Sequence, residues 1–190
     1  SVVATTAEWD SFEVLSLNNL NADGIHTDYN TIENFTLNLG NLDDTVTIKD
    51  SLGQSISEVT VNTADGTDVI IVGENQSLDG IIGAVTIAAG TGNNKLTIDD
   101  FNEEADETIT MSNTELNGYT SVTGIADGTI NYSGLFGQGV ALQAGKADDT
   151  INIEGLIAGA HTTIFGGASD DNITAAFVTQ VEASLTIEGE

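Results

Sequence analysis

Five glycine-containing turns held in one register, four of them acidic, constrain this chain more than any other feature. They are LGNLDDTVT at 39–47, TADGTDVII at 63–71, AGTGNNKLT at 89–97, AGKADDTIN at 144–152 and GGASDDNIT at 166–174. Aligned on their sixth residues, the anchors are Asp44, Asp68, Asn94, Asp149 and Asp171. Seven residues before the anchors stand Leu37, Val61, Ile87, Leu142 and Ile164; two after them stand Val46, Ile70, Leu96, Ile151 and Ile173. All ten are apolar. Four after the anchors come Ile48, Val72, Ile98, Ile153 and Ala175, so a period of two runs out of every turn, as in a half-buried strand. The unit is strand, turn, strand, and a sixth copy starts at Ser184, Leu185, Thr186 and Ile187.

Anchor spacings of 24, 26, 55 and 22 residues fit the coils of a right-handed parallel β-helix, a β-solenoid in which each coil pairs with the next. The long interval has room for two turns of a coil. Weaker echoes at Ala22, Asp23, Gly24, Ile25 and Tyr29, and at Ala126, Asp127, Gly128, Ile130 and Tyr132, suggest two units of about 105 residues, 1–105 and a truncated 106–190, within one solenoid domain 1–190. Asn, Thr, Asp, Gly and β-branched residues dominate, and no segment keeps a helical apolar stripe. Proline is absent, which suits unbroken ladders. A β-sandwich is the alternative fold, but it leaves the shared register of the turns unexplained.

Charge narrows the partners. Thirty Asp and Glu face Lys49, Lys95 and Lys146, with no arginine, giving a formal net charge of -27. Such a chain cannot build the basic patch that nucleic acid or an anionic membrane requires. No apolar run is long enough to span a bilayer, so membrane insertion is not expected. The start without methionine reads as a processed product or a piece of a longer parent, and the absence of cysteine suits exported bacterial proteins. Self-repulsion of this size calls for counter-cations.

Stacked turns supply a place for them. If Asp44 and Asp68, or Asp149 and Asp171, occupy one corner of successive coils, their carboxylates lie about one strand spacing apart. A cation between them offsets that repulsion, and calcium takes six to eight oxygens from carboxylates and backbone carbonyls. The acid pairs Asp43-Asp44, Asp148-Asp149 and Asp170-Asp171 strengthen the reading, so the candidate metal residues are Asp43, Asp44, Asp68, Asp148, Asp149, Asp170 and Asp171. The competing explanation is local: Asp and Asn favour turns because their side chains bond nearby N–H groups.

GGASDDNIT resembles the calcium-binding nonapeptide of RTX proteins, GGxGxDxUx with U a large apolar residue. Gly166, Gly167, Asp171 and Ile173 fill four of its fixed positions and Ser169 stands in place of the third glycine. The other copies match in part: Gly40, Asp44 and Val46; Gly66, Asp68 and Ile70; Gly145, Asp149 and Ile151; and Gly90, Gly92 and Leu96 with Asn94 in place of the aspartate. The resemblance implies that the Asp171 carboxylate and turn carbonyls are calcium ligands. RTX turns recur at nine residues, however, whereas these recur at 22 or more. The wider layout, as in ENFTLNLGNLDDTVTI at 33–48, resembles the β-strand repeats of very large bacterial surface proteins, which implies a stalk or adhesin segment outside the cell.

The remaining features yield no chemistry. DDFNEEADE, 99–107, reads as a solvated loop bulging between the two units, with a surface cation site as the alternative, and it lacks the EF-hand spacing. The histidines His26 and His161 lie in dissimilar contexts, no nucleophile, zinc or phosphate-loop motif is present, and an enzyme is not expected. Thr36, Thr60, Thr86, Ala141 and Thr163 form one expected outward row, and Thr47, Ile71, Thr97, Asn152 and Thr174 another; flat threonine ladders of this kind suit ice or a polysaccharide. Trp9 and Phe12 read as an end cap. The leading reading is an extracellular or cell-surface structural module stabilised by calcium, with neighbouring repeats or identical subunits stacked end to end as its partners. A self-assembling filament subunit is the closest variant of it.

Overall fold

The computed structural model describes residues 2–3, 34–49, 58–73, 75–114, 118–176 and 183–189. The first echo, with Trp9 and Phe12, lies outside them. Among the described residues there is no helix, and hence none long and apolar enough to cross a membrane.

Each turn sits between two short strands because its flanks alternate. β2 (Asn34–Asn38), β4 (Glu58–Asn62) and β6 (Ala84–Ala88) precede the first three turns; β3 (Thr45–Ile48), β5 (Val69–Val72) and β7 (Lys95–Asp99) follow them. The inward residues Val46, Ile48, Val59, Val61, Ile70 and Val72 are fully buried, while their neighbours point out. β2, β4 and β6 pair in parallel in sheet A, and β3, β5 and β7 pair in parallel in sheet B. The core lies between the two sheets as one continuous apolar stack. Parallel pairing from coil to coil is the solenoid arrangement, and it excludes the β-sandwich, whose sheets are antiparallel.

The long interval differs from expectation. It holds β8 (Thr108–Thr114), β9 (Tyr119–Thr123) and β10 (Ile130–Ser133), and β9 runs antiparallel to both of its neighbours. β10, not β8, lies beside β6, so sheet A is ordered β6, β10, β9, β8. The interval therefore contributes a hairpin inserted into one sheet. Ala126, Asp127 and Gly128, taken from sequence as a coil echo, are the connection from β9 to β10.

Regular coiling then resumes out of phase. β11 (Gly139–Gln143), β13 (His161–Phe165) and β15 (Ser184–Glu188) extend sheet B from β7, while β12 (Thr150–Ile153) and β14 (Asn172–Ala175) extend sheet A from β8; β1 (Val2–Val3) lies at the far edge of sheet A, beside β2. The first three turns thus lead from sheet A to sheet B, and the last two from B to A. The expected threonine rows are corrected accordingly. Thr36, Thr60 and Thr86 stack on sheet A, whereas Ala141 and Thr163 continue the row of Thr47, Ile71 and Thr97 on sheet B.

Candidate functional site

The inversion gives the solenoid two acidic edges on opposite sides. At the first, the Asp44 N–H donates to Asp68 Oδ1 at 2.9 Å, and the Asp68 N–H donates to Asn94 Oδ1 at 2.9 Å. Asp68 and Asn94 thus each reach back one coil and satisfy the buried N–H of the anchor before them. The row closes on a carboxamide: Asn94 Nδ2 donates to Ala89 O and, at 3.0 Å, to Leu135 O. Asp44, Asp68 and Asn94 are buried, and Asp68 Oδ2 has neither solvent nor a hydrogen-bond partner.

The acid one residue earlier braces the opposite way. Asp43, exposed, accepts from the Thr67 N–H at 2.8 Å, so turns 39–44 and 63–68 are tied reciprocally. The same clamp recurs at the second edge. There the exposed Asp148 accepts from the Asp170 N–H at 3.0 Å, and Asp171 Oδ1 accepts from the Asp149 N–H at 3.0 Å. The sequence signal was the Asp-Asp pair itself; its meaning as a two-way backbone brace was missed. Stacking at this distance also explains glycine. A Cβ on Gly92 would stand 1.5 Å from the Gly66 carbonyl oxygen, and one on Gly167 would stand 1.8 Å from that of Gly145. Ser169, where the RTX pattern has glycine, takes φ +83°, the left-handed backbone that glycine would adopt without strain.

The second edge contains more than turns. Asp149 Oδ1 accepts from the Glu107 N–H at 2.8 Å, and Asp100 Oδ1 accepts from the Leu78 N–H at 2.7 Å. DDFNEEADE is therefore no free loop. It connects β7 to β8, Asp100 is buried, the Asn102 N–H donates to Gln76 O, and the Lys146 N–H donates to Glu103 O. Because β10 and β9 intervene, this connection must reach a strand three places from β6, roughly 14 Å away in strand spacings. A regular coil steps over one.

That sideways step opens a cleft of about 510 Å³. Asp79, Asp100, Glu103, Asp106, Glu107 and Asp127 line it over an apolar floor of Leu78 and Ile125, and none of its lining residues is basic. Burial pushes the Glu107 carboxyl up to about 8, with Asp100 and Asp149 adding repulsion. Burial likewise lifts Asp100 to about 6, against the Leu78 N–H bond that lowers it. Asp149 is raised by burial too, with N–H bonds from Glu107 and Gly145 opposing. Glu107 Oε2 has no partner and no solvent contact. Desolvated anions without a counter-charge favour proton or cation uptake.

Of the seven candidate metal residues, the structure joins Asp43, Asp44 and Asp68 at one edge and Asp148, Asp149, Asp170 and Asp171 at the other. Sequence reasoning left Asp100 and Glu107 outside the set although their cluster was noted. Among the described residues no three acidic or histidine side chains are already gathered closely enough to hold a metal ion. The donor set is all oxygen, which suits calcium. In comparison with known proteins, no family model matches the chain, and no curated protein or solved structure matches it either.

Proposed function

We propose that this chain is a non-catalytic structural module of a microbial outer surface, a β-solenoid spacer stabilised by calcium along its second acidic edge. One observation carries the reading: Asp100 and Glu107 line a cleft that has no basic residue, and Asp149, which accepts from the Glu107 N–H, adds its charge to theirs. Asp171, one coil further on, adds to the charge at Asp149. Calcium at this edge would supply the neutralising charge, with water and backbone carbonyls completing its oxygen shell. At the first edge Asp68 and Asp43 act chiefly as backbone braces, Asp68 buried and Asp43 exposed, each accepting an N–H from the neighbouring coil, while Asp44 is buried beside them.

The extracellular assignment follows from the ion. Extracellular modules hold calcium with dissociation constants near 0.1 to 1 mM, matched to the supply outside cells and about a thousandfold weaker than many intracellular sites. The net charge of -27 acts in the same direction, since it disfavours a compact state without divalent ions. In a stalk the partners are neighbouring repeats, or identical subunits, that continue the two sheets beyond β14 and β15.

A thermal melt in EDTA, in calcium and in magnesium tests the proposal. Calcium well above its dissociation constant should raise the midpoint by about 5–10 °C, with magnesium giving much less. Identical melts in the three buffers would reject calcium as the stabiliser.

A further inference from the structure

The outer face of sheet B is built from straight rows, and at one place the rows are interrupted. In the row Val69, Lys95, Gly139, His161 and Ser184, glycine leaves a gap between two long side chains. Gly139 has φ +94°, and a Cβ there would stand 2.9 Å from the His161 carbonyl oxygen, so the gap is fixed by the backbone. Ala141 repeats the gap in the adjoining row, between Thr97 and Thr163. His161 leans away from it: Nδ1 lies 2.7 Å from Ser184 Oγ and Nε2 lies 3.1 Å from Thr186 Oγ1.

The result is a depression of about 140 Å³ bordered by Lys95, Gln138, His161, Thr163 and Phe165. A second depression of about 270 Å³ adjoins it, bordered by Phe101, Gln143, Gly167, Glu188 and, again, Phe165. Phe165 is thus a half-buried aromatic ring between two hollows on an outward strand position. From His161 to Phe165 the trench runs four residues along β13, roughly 13 Å.

We propose that this trench binds a neutral glycan chain. The chemistry selects that class by elimination and by fit. A polyanion meets the field of a chain carrying -27, which one lysine in the trench does not cancel. A polycation finds no carboxylate in the first depression, where every lining polar group is a lysine, an amide, a hydroxyl or an imidazole, and a single one, Glu188, in the second. Amides and hydroxyls both donate and accept, as a ligand covered in hydroxyl groups requires. The flat Phe165 ring offers the apolar face on which a sugar ring can lie. Lys95, Gln143, His161, Thr163 and Phe165 project from paired strands, so little ordering of them is needed on binding.

Amide chemical-shift mapping tests it, with cellohexaose, mannohexaose and a galacturonate hexamer as probes at millimolar concentration. The expected result is saturable shifts confined to β11, β13 and the flanking turns with cellohexaose or mannohexaose. Phe165→Ala should weaken that binding about tenfold. Ala141→Leu, which fills the first depression from outside the core, should abolish it; unchanged circular dichroism of this second variant keeps the test valid if the first folds poorly. Absence of shifts with both neutral oligosaccharides, binding that survives both substitutions, or binding of the galacturonate hexamer alone would overturn the proposal.

Discussion

The two acidic edges use one motif for different ends. At the first edge the anchors Asp68 and Asn94 each accept from the buried N–H of the anchor one coil before, and the row finishes on a neutral amide that donates twice to backbone carbonyls. At the second, Asp149 and Asp171 make the same contacts, but Asp100 and Glu107 join them beside an open cleft. The lesson is that an aspartate in a stacked turn is first a hydrogen-bond acceptor. Carboxylates crowd without a basic partner only where the coil is interrupted and Asp100 and Glu107 are brought alongside, and that is where we propose the cation.

The largest effect that could break this comparison is Asn94→Asp. It removes two donors to buried carbonyls and adds an anion within one coil of Asp68, costing about 3–5 kcal/mol and lowering the melting midpoint by roughly 10 °C. Calcium should not restore it. Recovery in calcium would show that the first edge binds cations in the way we propose for the second. Asp68→Ala comes next, because the buried Asp44 N–H loses its acceptor; about 2–3 kcal/mol should be lost, with or without calcium. Asp68→Asn keeps the acceptor and should cost much less.

At the second edge the signs reverse. Glu107→Gln should raise the midpoint by a few degrees at pH 8 in EDTA, since a neutral side chain suits its buried position, and should remove most of the calcium response. A response of full size in this variant would place the ion elsewhere.

Acidity sharpens the contrast further. Glu107 rises from 4.5 to about 8 and Asp100 from 3.8 to about 6 on folding. A carboxyl raised in the folded state favours folding most when both states are protonated. Its contribution is lost as pH climbs from the unfolded value through the folded one, here between about pH 4 and pH 8. In EDTA the chain should therefore melt higher at pH 5 than at pH 8, by on the order of 5 °C. Calcium should narrow the gap. Equal midpoints at the two pH values would deny the second edge its unbalanced charge. The smallest effect belongs to the exposed brace: Asp43→Ala should cost about 0.5–1 kcal/mol, through the Thr67 N–H alone.

Local pattern made the strands and turns readable. Val46, Ile70, Leu96 and Ile151 alternate with outward residues on a period of two, and a shared register of turns leaves few folds other than a solenoid. The core followed directly. What escaped was the choice of sheet for each strand, because that depends on which distant strand lies alongside. β9 alternates as any other strand does, and only its antiparallel pairing reveals that the coil phase inverts there. The same inversion separated the threonine rows and brought Asp100 and Glu107 to Asp149. The 55-residue spacing and the six acids of 99–107 marked the place without disclosing the geometry.

The most direct test of the account is a calcium titration at pH 8 followed by amide chemical shifts across both edges. The account predicts saturable shifts at residues 100–107 and 145–149, with the amides of Asp44 and Asp68 unmoved. Shifts of equal size at Asp44 and Asp68, or none at Glu107 and Asp149, would contradict it.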